Sequence, residues 1–143
     1  MANSTFNGPV TSQNGFIAGH QVTTTNNAIN ATATATAAQV ATGYITSTSA
    51  ASTVITLPTG TLLGGYLGAT RGTSLDLYID NTAGASTVTI AVAVNGVLST
   101  GAVDAAAAAG TFGDLTIASG VTGIGRFTIM FSSATAYVFT RTA

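Results

Sequence analysis

The chain has 143 residues and a mass of 14.0 kDa, which suits one domain with an appendage. Charged residues are 5% of it, against about 25% in ordinary globular proteins, so solubility rests on Thr, Ser, Asn and backbone amides. The formal net charge of −1 comes from Arg71, Arg126 and Arg141 against Asp76, Asp80, Asp104 and Asp114. It excludes the basic patch that nucleic acid requires, and the absence of cysteine excludes a disulfide framework or a thiolate zinc site.

Residues 1–40 differ from the rest. Asn, Thr, Ser, Ala and Gln dominate, with Gly8-Pro9 and Asn14-Gly15 as turn signals. The run NATATATAA (30–38) has a strand-like alternation with almost nothing to bury. Such a segment alone does not offset an ordering entropy of about 1–2 kcal/mol per residue. It reads as a floppy tail or as an arm that orders on a neighbouring subunit. Phe6, Phe16 and Ile17 favour the arm, since a solvated tail has no use for them. The opening MANSTFNGPVTSQNGF lacks the positive and apolar regions of a secretory signal. No run approaches the roughly 18–20 apolar residues of a membrane span. The expectation is a soluble chain with no membrane partner.

From residue 41 the period becomes that of strands. YITST (44–48) and STVITLP (52–58) are dense in β-branched residues, with Ile55 and Leu57 on one face and Pro58 ending the run. Leu62, Leu63, Tyr66 and Leu67 recur at helical spacing, which allows one or two helical turns, while Gly64 and Gly65 weigh against a helix. Leu75, Leu77 and Ile79 alternate with Ser74, Asp76, Tyr78 and Asp80. After the loop NTAGAS, Val88, Ile90, Val92 and Val94 form a second apolar row, predicting an antiparallel pair with one oily face. Asn95-Gly96 signals a tight turn.

GAVDAAAAAGTFG (101–113) is a helical turn or an excursion loop, and DLTIAS (114–119) a short strand. In RFTIMFSS, Phe127, Ile129 and Phe131 oppose Arg126, Thr128 and Met130; a turn then leads into YVFTRT. Seven or eight strands predict an all-β fold: an antiparallel, jelly-roll-like β-sandwich over 41–143 behind a low-complexity N-terminal arm over 1–40. Edge strands normally carry Lys or other charges, and few charges exist here. A symmetric oligomer that buries these edges is expected over a threonine-coated monomer.

The catalytic inventory is nearly empty. His20 stands in the arm with no acid or cysteine nearby, and there is no glutamate to pair. Asp76 and Asp80, four residues apart on one strand, lie roughly 13 Å apart, beyond the spacing of paired glycosidase carboxylates. A calcium site from Asp80, Asn81 and carbonyls lacks enough ligands without another segment. GTLLGG (60–65) lacks the lysine of a phosphate loop, and the glycosylation triplets at Asn3 and Asn30 arise easily in a Thr-rich chain. No set of residues takes on catalytic roles, and neither an enzyme nor a cofactor is expected. Arg71, Arg126 and Arg141 are either ordinary exposed side chains or pair with an aspartate or carbonyl at a subunit or partner contact.

The series GYITSTSAASTVITLPTGTLLGG (43–65), GTSLDLYIDNTAGASTVTI (72–90), GIGRFTIMFSS (123–133) and YVFTRT (137–142) resembles a domain of tailed-bacteriophage virion-surface proteins. These are capsid decoration (cement) proteins and short head or tail fibres. The likeness lies in the TLPT strand end, the strand of type D-L-x-I-x-N-T and the hairpin from R-F-x-x-x-F to V-x-x-R. NGPVTSQNGF also looks like the start of phage capsid-associated proteins. The resemblance implies a structural protein on the outer capsid surface of the virion, assembled in the host cytoplasm. It would bind the major capsid protein, as a homotrimer. The contacts expected are Phe6, Asn7, Pro9, Phe16 and Ile17 of the arm with Arg71, Arg126 and Arg141. A fibre module for host-surface or glycan attachment is the alternative, with Tyr44, Tyr66, Tyr78 and Tyr137 as its only tyrosines. A bacterial surface fibre is weaker for want of an export signal.

Overall fold

The computed structural model describes residues 27–98 and 115–142. Chain order is β1 (Ala33–Thr34), α1 (Ala37–Ala41), β2 (Tyr44–Thr46), β3 (Thr53–Thr56), α2 (Gly60–Leu67), β4 (Ser74–Asp80) and β5 (Val88–Ala91). There follow β6 (Gly96–Leu98), β7 (Thr116–Ile117), β8 (Ile124–Ser133) and β9 (Ala136–Arg141). One sheet has the order β2-β4-β8-β9-β6, the other β1-β3-β5-β7. The described residues are thus mostly sheet with two short helices.

The sheets are mixed, which departs from the antiparallel jelly-roll expectation. β1 with β3, β3 with β5, β2 with β4 and β6 with β9 pair in parallel. β4 with β8, β8 with β9 and β5 with β7 pair antiparallel. The cause is the path of the chain. Among the described strands, successive ones fall in opposite sheets from β1 to β8, and only the β8–β9 hairpin stays within one. Along β1, β3 and β5, and again from β2 to β4, two crossings restore the original direction, so these alternate strands lie side by side in parallel.

The predicted pairing of 74–80 with 88–94 does not form for the same reason. β4 and β5 belong to different sheets, and the loop between them crosses from one to the other. Asn81, fully buried, organises that crossing. Its Nδ2 donates to the carbonyls of Ser86 (2.8 Å), Ala118 (3.0 Å) and Ile117 (3.2 Å), and its own N–H donates to Gly123 O at 2.6 Å. Because β5 ends at Ala91, Val92 is only partly buried and Val94 is exposed rather than in the core.

Both sheets turn their apolar rows toward one core. Ile45, Leu77, Ile79, Phe127, Ile129, Phe131 and Phe139 come from the five-stranded sheet, and Ile55, Val88, Ile90 and Ile117 from the other. Phe127 stacks on Phe139 at 5.0 Å, and Phe131 meets Tyr137 edge-on at 5.8 Å. Each such buried side chain contributes about 1.5–3 kcal/mol by leaving water. Residues 27–40 of the predicted arm add Ile29, Ala35 and Val40 to this core, and β1 extends the four-stranded sheet. A capping box starts α1: Gln39 N–H donates to Thr36 Oγ1 (3.2 Å) and Thr36 N–H to Gln39 Oε1 (2.9 Å).

The helical turns that the spacing allows form as α2, begun by Thr59, whose Oγ1 accepts from Leu62 N–H, and ended by Gly68 in the left-handed region (φ 60°). Gly60 and Gly64 face the β8–β9 turn. A Cβ on either would strike the carbonyl of Thr135 or Ala134, so glycine is what seats the helix on the hairpin. Among the described residues no helix is long and apolar enough to cross a membrane.

Candidate functional site

Two surfaces stand out. The first is the outer face of the five-stranded sheet, where strand alternation puts every second residue of β2, β4 and β8 outward. Register sets Tyr44 beside Tyr78, Tyr78 beside Arg126, and Asp76 beside Thr128. Arg126 Nη2 meets Asp76 Oδ2 at 2.6 Å, Thr128 Oγ1 donates to Asp76 Oδ1 at 2.8 Å, and the guanidinium lies 5.8 Å from the Tyr78 ring centroid. Tyr44 donates its hydroxyl to Asp80 Oδ2, while the N–H and hydroxyl of Thr82 donate to Asp80 Oδ1.

These bonds set the electrostatics. The Arg126 guanidinium, then the Thr128 hydroxyl, hold Asp76 below the usual carboxylate range, and Asp76 in turn raises Arg126. The Thr82 hydroxyl, then the Tyr44 hydroxyl, lower Asp80; the same bond to Asp80 raises the Tyr44 phenol. All three described ionic groups of this face are therefore engaged within the chain. Of the calcium arrangement weighed from sequence, Asp80 is engaged by Tyr44 and Thr82, while Asn81 is fully buried with its amide nitrogen bonded to three carbonyls. Among the described residues no three His, Cys, Asp or Glu converge as a metal site.

The second surface is an apolar groove of about 690 Å³ between α2 and the β1–α1 segment. Ala35, Ala37, Pro58, Leu62, Tyr66 and Ala93 are among its walls, with Gly65 on the helix and no charged side chain among the described residues. Leu62 and Tyr66, 63% and 60% exposed, form a stripe one helical turn long. The sequence pattern grouped Leu62, Leu63, Tyr66 and Leu67 together; the helix separates them, sending Leu63 into the core and leaving Leu62 and Tyr66 outside.

The other predicted contact residues fall as follows. Phe6, Asn7, Pro9, Phe16 and Ile17 lie outside the described residues. Arg71 is exposed in the turn between α2 and β4. Arg141 is buried: its Nη1 donates to Thr116 O at 2.9 Å and its guanidinium lies 5.9 Å from the Phe127 ring, tying β9 of one sheet to β7 of the other. Arg126 pairs with Asp76 on the first surface, so the three arginines do not come together. The groove was missed in the sequence because its walls come from three separate stretches.

The chain matches no protein-family model, no curated protein and no solved structure. The functional reading rests on its own surfaces and residue pattern.

Proposed function

We propose that this chain is a structural virion protein of a tailed bacteriophage, a decoration (cement) protein that binds and stabilises the assembled shell of major capsid protein as a homotrimer on the outer capsid surface. The observation that carries the reading is the segregation of charge. Asp76, Asp80 and Arg126 gather on the outer face of the five-stranded sheet. Among the described residues, the outer face of the four-stranded sheet and the groove beside α2 offer Thr, Ala, Val, Leu, Tyr and other uncharged groups. A protein repeated densely over a shell gains from contact faces without like-charge repulsion between copies. Such contacts also hold across a wide range of salt. Binding only the assembled shell stabilises that shell by mass action.

The test is immunogold microscopy of virus-sized particles from cells that make the chain, with antibodies against the purified protein. Regular label over the head is the expected result. Unlabelled particles overturn the reading.

A second reading, attachment to host glycans as a fibre module, is favoured by one observation. Tyr44 and Tyr78, far apart in sequence, are register partners on one face with Asp76, Asp80 and Arg126 beside them. Aromatic faces flanked by polar groups are what sugar rings stack on. Label confined to a tail tip, together with glycan-array binding lost in Tyr44→Ala, would replace the decoration reading with this one.

A further inference from the structure

Two demands of the fold meet at the turn that leads into β6. Gly96 N–H donates to Ala93 O at 3.0 Å and closes a turn over Val94 and Asn95. Asn95 has φ 63° and is, among the described residues, the one non-glycine in the left-handed region. Asparagine is one of the few side chains that accept this conformation. The next position has no room for a side chain, since a Cβ on Gly96 would lie 2.6 Å from the Tyr137 hydroxyl oxygen. Backbone and packing together therefore select the dipeptide Asn95-Gly96.

That dipeptide carries a reaction of its own. The amide carbon Cγ of asparagine is an electrophile, and the peptide nitrogen of the following residue is the nearest nucleophile. A side chain on that residue hinders the approach, and glycine has none. In the folded turn Gly96 N–H is engaged by Ala93 O, so the attack takes place when this one hydrogen bond opens. The bond from Gly96 N to Asn95 Cγ forms and the Cγ–Nδ2 bond breaks. The amide leaves as ammonia, taking the proton from Gly96 N. Water then opens the cyclic imide and returns a proton to that nitrogen. Opening at Cγ yields aspartate, and opening at the α-carbonyl yields isoaspartate.

We propose that Asn95 is a self-modification site, converted by water alone to aspartate and isoaspartate, and that the isoaspartate product loosens the joint between α2 and β9. The backbone here is wedged between those two elements. Asn95 O accepts from Tyr137 N–H at 3.0 Å, and Val94 O accepts from Gly60 N–H at 3.2 Å. A Cβ on Gly60, the first residue of α2, would come within 2.8 Å of Asn95 O. β6 pairs with β9 from Gly96 opposite Tyr137 onward. The aspartate product keeps this path, because its side chain also tolerates a left-handed φ. Isoaspartate routes the main chain through Cβ and Cγ and so lengthens the turn by one atom. It also turns the carbonyl held between Gly60 and Tyr137 into a carboxylate, a charge that packing here would strip of water.

The experiment ages the full-length protein in warm, mildly alkaline buffer and follows each asparagine by peptide mapping and mass spectrometry. Enzymatic methylation counts the isoaspartate at each site. Conversion at Asn95 is expected to run at least about tenfold ahead of Asn27 and Asn81, whose next residues, Ala28 and Thr82, carry the Cβ that glycine lacks. A fraction of the aged protein equal to its isoaspartate content at this site should unfold at lower urea. Asn95→Gly keeps the left-handed backbone without the reacting amide, so it should hold its urea midpoint through the same ageing. Fresh Asn95→Asp has the charge without the added atom and should match fresh wild type. A drop in fresh Asn95→Asp as large as the ageing loss would overturn the account of the joint. Asn95 that stays intact while a synthetic peptide of residues 92–98 converts overturns the proposal, as does a protein rich in isoaspartate at this site that keeps its midpoint.

Discussion

The outer faces of the two sheets are built by the same alternation and end in opposite chemistry. Across the five-stranded sheet the outward ladder runs Tyr44, Tyr78, Arg126, with Asp76 beside Thr128. Across the four-stranded sheet it runs Thr34, Thr56, Ala91 in one row and Val54, Thr89, Thr116 in the next. On the first face each ionic group has a named partner, and cross-strand pairs contribute roughly 0.2–1 kcal/mol apiece. On the second, the described outward side chains are mostly β-branched and none is ionic. Among the described residues the two outer faces therefore differ in charge, one carrying Asp76, Asp80 and Arg126 and the other uncharged.

The place to break that division is where the chain passes from one sheet to the other. Asn81→Asp keeps the shape of the side chain and replaces a donor of three hydrogen bonds by a carboxylate facing three carbonyls. The expected loss is about 3 kcal/mol or more at neutral pH, since unsatisfied buried groups cost about 1–3 kcal/mol each. The loss should shrink on acidification, when the protonated carboxyl can donate again. Urea unfolding at two pH values checks both the size and the sign.

Tyr137 tests the seam between α2 and the hairpin. It is fully buried and donates to Pro58 O at 2.9 Å, and burial pushes its phenol up to about 12. A pKa raised by folding contributes stability that is fully present below the unfolded value of about 10 and is lost as pH rises through about 12. Tyr137→Phe leaves the Pro58 carbonyl unpaired and should cost about 1–2 kcal/mol. It should also remove the tyrosine contribution to alkaline unfolding between those values, as thermal melts from pH 9 to 12 would reveal.

Much of this was legible in the sequence, and the parts that were not share a cause. The inward rows Leu77–Ile79, Phe127–Ile129–Phe131 and Ile55–Leu57 are buried as period-two alternation requires. Alternation records which face of a strand is buried and carries nothing about which sheet the strand joins. A hairpin and a crossing therefore read alike, and the pattern pairs β4 with β5. The period also carries Val94 toward the core, continuing past Ala91, where the strand stops. The low complexity of 30–38 hid a local signal, Thr36-x-x-Gln39, that marks a helix start. Both surfaces escaped for want of long-range register: nothing local says that Tyr44 stands beside Tyr78 or that Pro58 and Ala93 wall one groove.

Gly65→Ala is the next perturbation in size and moves the other way. The position is exposed on α2 with open space for a methyl group. Replacing glycine in a helix interior should add up to about 1 kcal/mol, whereas Gly64→Ala, four residues after Gly60 on the same packed side, should destabilise by collision with Ala134 O and Phe131. A gain at both positions would mean that α2 does not sit on the β8–β9 turn.

The smallest effects on stability bear most directly on the contrast between the faces. Folding lowers the pKa of Asp76 and Asp80, so each contributes stability that is present above the unfolded value of about 3.9 and is lost as pH falls through the lowered one. Both are partly exposed and screened by solvent, so Asp76→Asn should cost under about 1 kcal/mol and flatten the acid limb of the stability curve. Val54→Lys on the four-stranded sheet should change stability within about 0.5 kcal/mol, as an exposed substitution does, and yet weaken any assembly that uses this face. Met130→Lys on the five-stranded sheet, also exposed, should leave assembly unchanged. If the two lysines act alike on assembly, the division of the surface into a solvated face and a contact face is wrong, because one added charge opposes burial only where a surface is to be buried.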